Sequence, residues 1–284
     1  MHLNQRKFNI LYLYLILVIT GCVSTEPEKL RGCYSINDFY NPDTIGVVEG
    51  FSMQTQESSS WTGKYSFEED SENRYVRFWF DKTTDSKIRS DRARVQLNMY
   101  SLADVKDFYL DSTFSLGDSL SNYMDEENRF EWLNIFELWV EPGWTGAKYP
   151  AKLHFSIVKN TGDTFFTPLL SAQYKDLNDK NWVDIWEKNL DLEVYPGEKY
   201  KFKFFLSVSP TQLIYSSISN LELENVASLQ INDKITHPEY EGVDAVYWGV
   251  NPIKLYTGEK LLNKLEESNT KLSVTFDSFD FCAL

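Results

Sequence analysis

The stretch Asp91-Arg-Ala-Arg-Val-Gln-Leu-Asn-Met-Tyr100 predicts the fold class of this chain. Successive side chains of a β-strand point to opposite faces of a sheet, and apolar and polar residues alternate throughout this segment. One face carries Ala93, Val95, Leu97 and Met99, and the other carries Arg92, Arg94, Gln96, Asn98 and Tyr100. The first set is typical of a sandwich core, and the second forms a polar row.

Two later segments repeat the alternation. In 132–141 the apolar set is Trp132, Phe136, Leu138 and Val140, with Asn134 as an exception, and the opposing set is Leu133, Ile135, Glu137, Trp139 and Glu141. In 152–158, Leu153, Phe155 and Ile157 oppose Lys152, His154 and Ser156.

Trp182 and Trp186 are four apart and would share one strand face. By contrast, the lysine-rich face of 199–208 predicts an ordinary solvent-facing strand.

Short strands dominate the rest of the chain. From about residue 46 onward, runs rich in Val, Ile, Phe, Tyr and Trp are separated by turn signals such as Tyr195-Pro-Gly197. Helix is predicted only at about Leu102–Tyr109 and at Gly258–Glu267, where Leu261, Leu262 and Leu265 fall on one face. This pattern predicts an all-β antiparallel sandwich or barrel with one or two short helices.

The amino-terminal residues predict an export signal. Arg6 and Lys7 precede an apolar run from Phe8 to Val18 and the sequence Ile19-Thr-Gly-Cys22, which is too short for a stable membrane span. This stretch resembles a bacterial lipoprotein signal with its lipobox. The resemblance implies a lipid-modified Cys22 as first mature residue, attachment to a lipid membrane, and a cell-envelope location as an outer-membrane lipoprotein. An ordinary cleaved signal with an incidental cysteine is the alternative.

Three regions follow from this organisation: a signal peptide at 1–21, the lipidated Cys22 with a polar spacer at 22–44, and a β-sandwich domain at 45–284. The full chain has a net charge of −14. Loss of Arg6 and Lys7 with the signal would leave 26 basic and 42 acidic residues, hence −16. So acidic a chain is a poor partner for nucleic acid. Cys33 and Cys282 could form a disulfide, a hypothesis that rests on their positions alone.

The polar sheet face suggests a site for a polysaccharide. Aromatic residues are 15% of the chain, with eight Trp and 17 Tyr, and aromatic rings stack on flat sugar faces. Trp144 and Tyr149 fall in the loop directly after the Glu137 strand. A merely solvated face and a packed loop are the alternatives. The predicted glycan-binding residues are Arg92, Arg94, Gln96, Asn98, Glu137, Trp139, Glu141, Trp144 and Tyr149.

Catalysis is predicted less directly. Glu137-Leu-Trp-Val-Glu141 resembles the Glu-x-Asp-x-Glu strand of laminarinase-like retaining glycoside hydrolases, with Trp139 at the place of the central acid. Retaining chemistry needs carboxyl groups about 5–5.5 Å apart. Cα atoms four apart on a strand are separated by about 13 Å. Hydrolysis is therefore the weaker enzyme hypothesis.

The segment Arg89-Ser-Asp-Arg-Ala-Arg94 resembles the Arg-Ser-Glu-x-Arg strand of jelly-roll polysaccharide lyases. That resemblance implies neutralisation of a uronate carboxylate by Arg92, Arg94 and Gln96, proton abstraction by His154, and Tyr100 as acid. The lyase motifs Gln-Ile-His and Tyr-x-Lys-x-Gly-x-Tyr are not evident. Whether the chain is an enzyme stays open, and a lyase is favoured over a hydrolase.

No cofactor and no catalytic metal are predicted. The chain has three His and no zinc-ligand spacing. Acid-rich Asp176-Leu-Asn-Asp179 leaves room for a structural calcium, although no complete loop motif is present.

Together with the closing strand at Val274–Phe281, these features resemble lipoproteins with a concanavalin A-like lectin/glucanase jelly roll. The resemblance covers about 45–284 and implies an antiparallel jelly-roll β-sandwich. The first functional prediction is a membrane-anchored exported lipoprotein that binds polysaccharide, as a monomer or as part of a surface complex. The alternatives are a lyase for a uronate-containing glycan and a structural or assembly lipoprotein without sugar binding.

Overall fold

Two antiparallel β-sheets face each other in the computed structural model of this chain, with apolar side chains between them. The structure describes residues 32–39, 51–70, 73–83, 90–103, 107–125, 127–140, 151–176, 181–208, 211–229, 233–234 and 247–284. These residues belong to one compact unit. The predicted all-β antiparallel jelly-roll sandwich is confirmed.

The first sheet has nine strands. Its order is β13 (Asn225–Leu229), β12 (Thr211–Asn220), β11 (Lys199–Val208), β6 (Asp107–Leu116), β17 (Ser273–Ala283), β4 (Arg74–Lys82) and β3 (Trp61–Glu69). Two short strands lie off this path: β1 (Cys33–Ser35) pairs with β17, and β14 (Asp233–Lys234) pairs with β12.

The second sheet has eight strands and carries the polar row. Its order is β10 (Trp182–Asn189), β9 (Thr167–Lys175), β8 (Ala151–Lys159), β7 (Phe130–Val140), β15 (Tyr247–Asn251), β5 (Arg92–Ala103) and β16 (Lys254–Gly258), with β2 (Phe51–Gln56) also paired to β5. Both β15 and β16 pair with β5 and with β7. They therefore fill, one after the other, the space between those two strands.

Aromatic side chains join the two sheets. The Phe155 and Phe202 rings stack with centroids 3.9 Å apart, and Phe136 lies 4.6 Å from Phe204. All four side chains are almost fully buried. Burial of one such side chain contributes about 1.5–3 kcal/mol. The alternation predicted for 152–158 and 200–206 is thus the alternation that builds the core.

Short helices decorate the sandwich. They are α1 (Ile36–Phe39), a 3₁₀ helix (Asp118–Tyr123) and α2 (Glu259–Glu267). In α2 the three predicted leucines are buried, which confirms the second helix prediction. The helix predicted at 102–109 is wrong, because β5 continues to Ala103 and β6 begins at Asp107. Alternate burial from Phe108 onward has the period of a strand, and that pattern overrode the local helix signal.

Because of a β-bulge, side chains of β7 lie on sheet faces other than those predicted. Its pairing with β8 shifts register between Asn134 and Phe136. One extra residue reverses the face of every side chain on one side of the bulge. Leu133 and Ile135 were predicted on the polar face but are buried in the core. Trp132, predicted apolar-facing, lies on the outer face of the sheet with Asn134.

A second bulge separates Trp182 from Trp186. The pairing of β10 with β9 shifts register between Asp184 and Trp186. Trp182 therefore lies on the outer face, while Trp186 packs against the core. The prediction that both share one face is wrong.

A disulfide joins the two ends of the described chain. The Sγ atoms of Cys33 and Cys282 are 2.03 Å apart, and this is the pair that the sequence singled out. Cys33–Ser35 lie in the segment predicted as spacer but form β1, because their backbone pairs with Asp280–Cys282 of β17. Residues 1–31, including the predicted signal and Cys22, lie outside the described residues. In the described part of the chain, no helix is long and apolar enough to cross a membrane.

Candidate functional site: a polar cleft on the eight-stranded sheet

A cleft of about 350 Å³ lies on the outer face of the eight-stranded sheet. It crosses six neighbouring strands, from β5 and β16 through β7, β8 and β9 to the edge strand β10. We call it the polar cleft. Its polar and aromatic lining includes Arg92, Glu131, Trp132, Asn134, Lys152, His154, Ser156, Ser171, Gln173, Trp182, Asp184, Glu187 and Tyr256.

Strand register brings these residues together. Tyr256 on β16 lies opposite Arg94 of β5 and opposite Asn134 of β7. Asn134 in turn lies opposite Ser156 of β8, and the Ser156 hydroxyl donates to Asn134 Oδ1 at 2.5 Å. Residues opposite each other in an antiparallel pair share a face. Side chains more than 100 positions apart in sequence thus form one continuous row.

Tyr256 is held from three sides. Arg92 Nη1 donates a hydrogen bond to the Tyr256 hydroxyl at 3.0 Å. The Trp132 ring lies 5.0 Å from the tyrosine ring at 58°, and Lys254 Nζ lies 4.6 Å from its centroid. The phenol is therefore placed on the floor of the polar cleft with a guanidinium beside its oxygen.

His154, in the lining of the same cleft, is a neutral imidazole. Burial, with a smaller effect of the Lys152 charge, lowers the pKa of His154 to about 3. The side chain is 7% exposed, and no described residue forms a hydrogen bond with its Nδ1. A buried polar atom without a partner costs about 1–3 kcal/mol. A ligand group in the polar cleft would relieve that cost.

Lys152 provides a second cation. Its ammonium lies 4.4 Å from the centroid of the Trp182 ring. Burial, and then repulsion from Arg92, lower the pKa of Lys152 to about 8, while Asp184 opposes the shift. The amine is mostly charged at neutral pH and loses its charge just above that range.

Acidic groups lie at the periphery of the polar cleft. Asp184 belongs to the edge strand β10, where Gln173 Nε2 donates to its Oδ1 at 2.6 Å. Glu187 is on the same edge strand. Glu131 lies at the start of β7 and pairs with Lys260 at 3.4 Å. The cation Lys152 lies on β8, two strands from the edge strand β10, and the cation Arg92 lies on β5, at the opposite end of the cleft from β10.

The other half of the same sheet face is closed. Asn98 Oδ1 accepts from Gln96 Nε2 at 2.6 Å and from Asn251 Nδ2 at 2.5 Å, and Gln54 Oε1 accepts from Gln96 and Asn98 at 2.9 Å each. Gln96 and Asn98 are 2% and 1% exposed. We call the following residues the buried polar cluster: Gln54, Gln96, Asn98, Glu137, Asn251 and Lys254. Gln96 and Asn98 were predicted to face a ligand, but their amides bond within the protein.

A buried ion pair completes the cluster. Lys254 Nζ donates to Glu137 Oε2, and both residues are almost fully buried. Burial and the nearby Arg94 charge hold the pKa of Lys254 well below its usual range. Glu137, predicted as a glycan ligand and weighed as a hydrolase carboxylate, is therefore the partner of a buried ammonium. That pairing occupies the group that the hydrolase hypothesis needs.

The remaining predicted residues divide into three groups. Arg94 is half-buried beside Tyr256, and Trp139 is half-buried opposite Lys152, outside the lining of the polar cleft. The side chain of Tyr100 is outside the described set, although its backbone belongs to β5. Glu141, Trp144, Tyr149 and Asp179 lie outside the described residues. Within the described ranges no cluster of three or more metal-ligating side chains occurs.

Comparison with known proteins gives distant structural similarity. An exolytic PL7 alginate lyase from Zobellia galactanivorans matches with TM-score 0.48 and 9% identity over 86% of this chain and 98% of its own. An endo-β-1,4-glucuronan lyase from the fungus Trichoderma reesei matches with TM-score 0.43 and 12% identity over 84% and 92%. The VIP36 exoplasmic/lumenal domain, in a form bound to Ca²⁺ and Man3GlcNAc, matches with TM-score 0.36 and 13% identity over 79% and 83%.

No protein-family model matches the sequence, and no curated protein matches it. The structural matches include enzymes described as polysaccharide lyases and a domain solved with a bound glycan. Identities this low, with TM-scores below 0.5, assign neither a ligand nor a reaction to this chain. The function is therefore inferred from the side chains of this chain alone.

Several cleft residues were missed from the sequence. Tyr256 lies in Lys254-Leu-Tyr-Thr-Gly258, where Leu255 and Thr257 are buried on the core side. Side chains alternate there as they do in β5, so the outward face of Tyr256 could have been predicted from the sequence. Trp132 and Trp182 were missed for another reason, because bulges changed the faces that their strands present.

Proposed function

We propose that this protein is a membrane-anchored lipoprotein that binds a polysaccharide in the polar cleft. The observation that carries the proposal is the placement of two indole rings, Trp132 and Trp182, along one open cleft with hydrogen-bonding side chains between them. Sugar rings present flat apolar faces that stack on aromatic side chains, and their hydroxyls need donors and acceptors. The geometry of the polar cleft supplies both.

The charges favour a carboxylated glycan. Arg92 and Lys152 both line the cleft, and a guanidinium binds a carboxylate through two parallel hydrogen bonds. The three acids lie on the edge strand or at the start of β7. A uronate carboxylate between Arg92 and Lys152 would also reduce the mutual repulsion of these two cations.

The membrane part of the proposal rests on sequence alone. The predicted lipid on Cys22 would hold the domain at the cell envelope as an outer-membrane lipoprotein. Two or more acyl chains give stable attachment, whereas a single chain gives marginal binding. Mass spectrometry of the mature protein tests this directly, and an unmodified residue 22 would contradict it.

Calorimetric titration with neutral and uronate-containing hexasaccharides tests the binding proposal. We expect Trp132→Ala and Trp182→Ala to weaken binding of a uronate hexasaccharide by about tenfold or more, the scale found for stacking on aromatic platforms. Tyr75→Ala is the matched control, because Tyr75 lies on the other sheet outside the polar cleft. Unchanged affinity in both tryptophan variants would remove the polar cleft as the binding site.

A second candidate is β-elimination of a uronate-containing glycan. The specific observation is that one cleft contains a neutral histidine, whose Nδ1 has no partner in the described part of the chain, and a tyrosine hydroxyl that accepts a hydrogen bond from an arginine. Arg92 and Lys152 would neutralise the carboxylate and so acidify the proton on C5. His154 would accept that proton, the electrons of the C5–H bond would form the C4–C5 double bond, and the C4–O bond would break. Tyr256 would protonate the leaving oxygen, in the role first assigned to Tyr100.

Product formation separates the two functions. A lyase generates an unsaturated uronate at the new chain end, which absorbs ultraviolet light, whereas a binder retards the polymer without product. We expect Tyr256→Phe to abolish any product while retaining binding, with Tyr75→Phe as control. Full turnover by Tyr256→Phe would contradict the lyase assignment. Neither binding nor product with any acidic polysaccharide would favour the structural role.

A further inference from the structure

A second pocket lies on the opposite sheet. Its volume is about 390 Å³, and it is formed by β3, β4, the segment Gly117–Ser119 and the start of β17. Because its strands belong to the nine-stranded sheet, it is separated from the polar cleft by the core of the sandwich. We call it the Trp79 pocket, after the aromatic residue in its lining.

Trp79 is a large aromatic residue that the core does not use. Alternation along β4 buries Val76, Phe78 and Phe80 and places Arg77 and Trp79 on the outer side. Trp79 lies between Lys64 of β3 and Ser273 of β17, with its indole half-buried. Among the described residues, no other ring and no cation stacks on it. One face of the indole is thus available to a ligand.

Three charged side chains around the ring have no partner among the described residues. Arg77, Asp118 and Lys271 line the pocket, and their side chains form no hydrogen bond or ion pair with any described residue. Glu68 accepts hydrogen bonds from the Ser66 hydroxyl at 2.5 Å and from the Tyr75 hydroxyl. The side chains of Arg77, Asp118 and Lys271 can therefore form hydrogen bonds with a ligand that stacks on Trp79.

The wall of the Trp79 pocket is rigid. Gly117 N–H donates to the Ser273 carbonyl at 2.9 Å, and a Cβ at residue 117 would lie 2.2 Å from Ser273 Oγ. A side chain at residue 117 would therefore require the Ser273 hydroxyl to move. The Ser119 hydroxyl donates to the Lys271 carbonyl at 2.6 Å. A pocket formed before the ligand arrives loses less conformational entropy on binding.

The geometry points to a second carbohydrate site here, one for a neutral sugar residue that stacks on Trp79. Sugar hydroxyls both donate and accept, which matches a lining with the bases Arg77 and Lys271 and the acids Glu68, Asp81 and Asp118. With three acids against two bases, the pocket disfavours a carboxylated residue. Two sites on opposite sheets would let one molecule engage two glycan segments, which raises overall avidity.

Titration with neutral hexasaccharides tests the site independently of the polar cleft. Cello-, laminari-, xylo- and manno-hexaose serve as probes, with binding measured by calorimetry. We expect Trp79→Ala to weaken binding of the hexaose with the highest affinity by about tenfold, and Trp79→Phe, which keeps a ring, by less. Tyr65→Ala on the neighbouring strand is the control, because Tyr65 is an exposed aromatic residue outside the pocket lining, and circular dichroism checks the fold of each variant.

The outcomes separate this site from the proposed function. Loss of neutral-sugar binding in Trp79→Ala with unchanged binding in Trp132→Ala supports the Trp79 pocket. The reverse pattern would overturn it and assign neutral sugars to the polar cleft. Absence of binding by all four neutral hexaoses would also overturn it, whatever the result for uronate hexasaccharides.

Discussion

The polar cleft and the buried polar cluster occupy the same face of the same sheet, yet they differ in what their polar groups do. In the buried polar cluster, amides and an ion pair bond to each other with almost no exposure. In the polar cleft, Arg92 is exposed and His154 Nδ1 has no partner among described residues. Polar residues in a strand pattern thus indicate a face, and their pairing within the protein decides whether they stabilise the fold or bind a ligand.

This difference predicts opposite mutational responses in the two regions. Changes in the buried polar cluster should lower the free energy of unfolding and leave ligand affinity intact. Changes at exposed cleft residues such as Arg92 should lower affinity and leave stability almost unchanged, because exposed side chains contribute little to stability.

The largest effect is expected for Glu137→Leu. The substitution leaves the Lys254 ammonium buried without a counter-charge, and breaking a buried pair in this way costs about 3–5 kcal/mol. Urea denaturation measures the loss. Glu266→Ala, which breaks an exposed pair with Lys82 at 2.7 Å, is the control and should cost about 0–1 kcal/mol. Equal effects of the two variants would show that the Glu137 pair is not desolvated.

A double variant that removes both charges of the Glu137–Lys254 pair tests the same explanation. Replacement of a buried ion pair by apolar residues is often neutral for stability. We expect the double variant Glu137→Leu/Lys254→Met to recover most of the stability that Glu137→Leu loses. A double variant as unstable as the single one would contradict this account.

The next effect concerns Asn98→Ala. It removes the oxygen that accepts from Gln96 and Asn251, so two buried N–H donors lose that partner. A buried group left unsatisfied costs about 1–3 kcal/mol. Thermal unfolding should report a loss in that range, while affinity for a uronate hexasaccharide stays within error. The exposed Asn225→Ala is the control, and a large drop in affinity for Asn98→Ala would return this residue to the binding site.

Arg92→Ala should show the opposite behaviour. Loss of a charge-assisted contact to a carboxylate, together with release of the Tyr256 hydroxyl, should weaken uronate binding by about tenfold, near 1.4 kcal/mol. Stability should change by about 0.5 kcal/mol or less, as for most surface substitutions. Arg74→Ala on the other sheet should change neither quantity. If Arg92→Ala destabilised the fold as much as Asn98→Ala, the contrast between the two regions would fail.

The smallest effect is a pH dependence of binding. The pKa of Lys152 is lowered to about 8, so its charge is lost as the pH rises through that value. Binding of a carboxylated hexasaccharide should weaken severalfold between about pH 7 and pH 9. His154, with a pKa of about 3, stays neutral across this range. In Lys152→Met the pH dependence should vanish, and an unchanged profile in that variant would assign it to another group.

Stability should depend on pH in the opposite sense. Because the folded pKa of Lys152 is lower than its unfolded value, the unfolded chain binds more protons between about pH 8 and pH 10.4. The contribution of this group to the free energy of unfolding therefore rises with pH in that window. Lys152→Met removes this rise, and a comparison of the two proteins by urea denaturation at both ends of the window measures it.

Much of the fold could be predicted from side-chain periodicity. Alternation in β5 and β8 identified Ala93, Val95, Leu153 and Phe155 as core residues, because burial of one sheet face imposes a period of two. Local pattern failed at β7 and β10, where a single inserted residue reverses the face and leaves no distinct mark in composition. The helix predicted at 102–109 failed because packing in β6 overrode a capping signal.

The candidate site was only partly predictable. Arg92, Lys152 and His154 were recognised on polar strand faces, and all three line the polar cleft. Tyr256 could not be joined to Arg92 from the sequence, because 164 positions separate them and only strand pairing brings them to 3.0 Å. Likewise nothing in the local sequence distinguishes the buried amide of Asn98 from an open one.

The sequence by itself determined that this chain forms antiparallel strands with one apolar and one polar side, since alternation is a local property of the residues. The tertiary structure decided which polar side chains meet, through the insertion of β15 and β16 between β5 and β7. It also decided which of them are covered, because exposure depends on elements distant in the chain. The local sequence therefore indicates which side chains share a sheet face. Strand register and burial determine where the polar cleft forms.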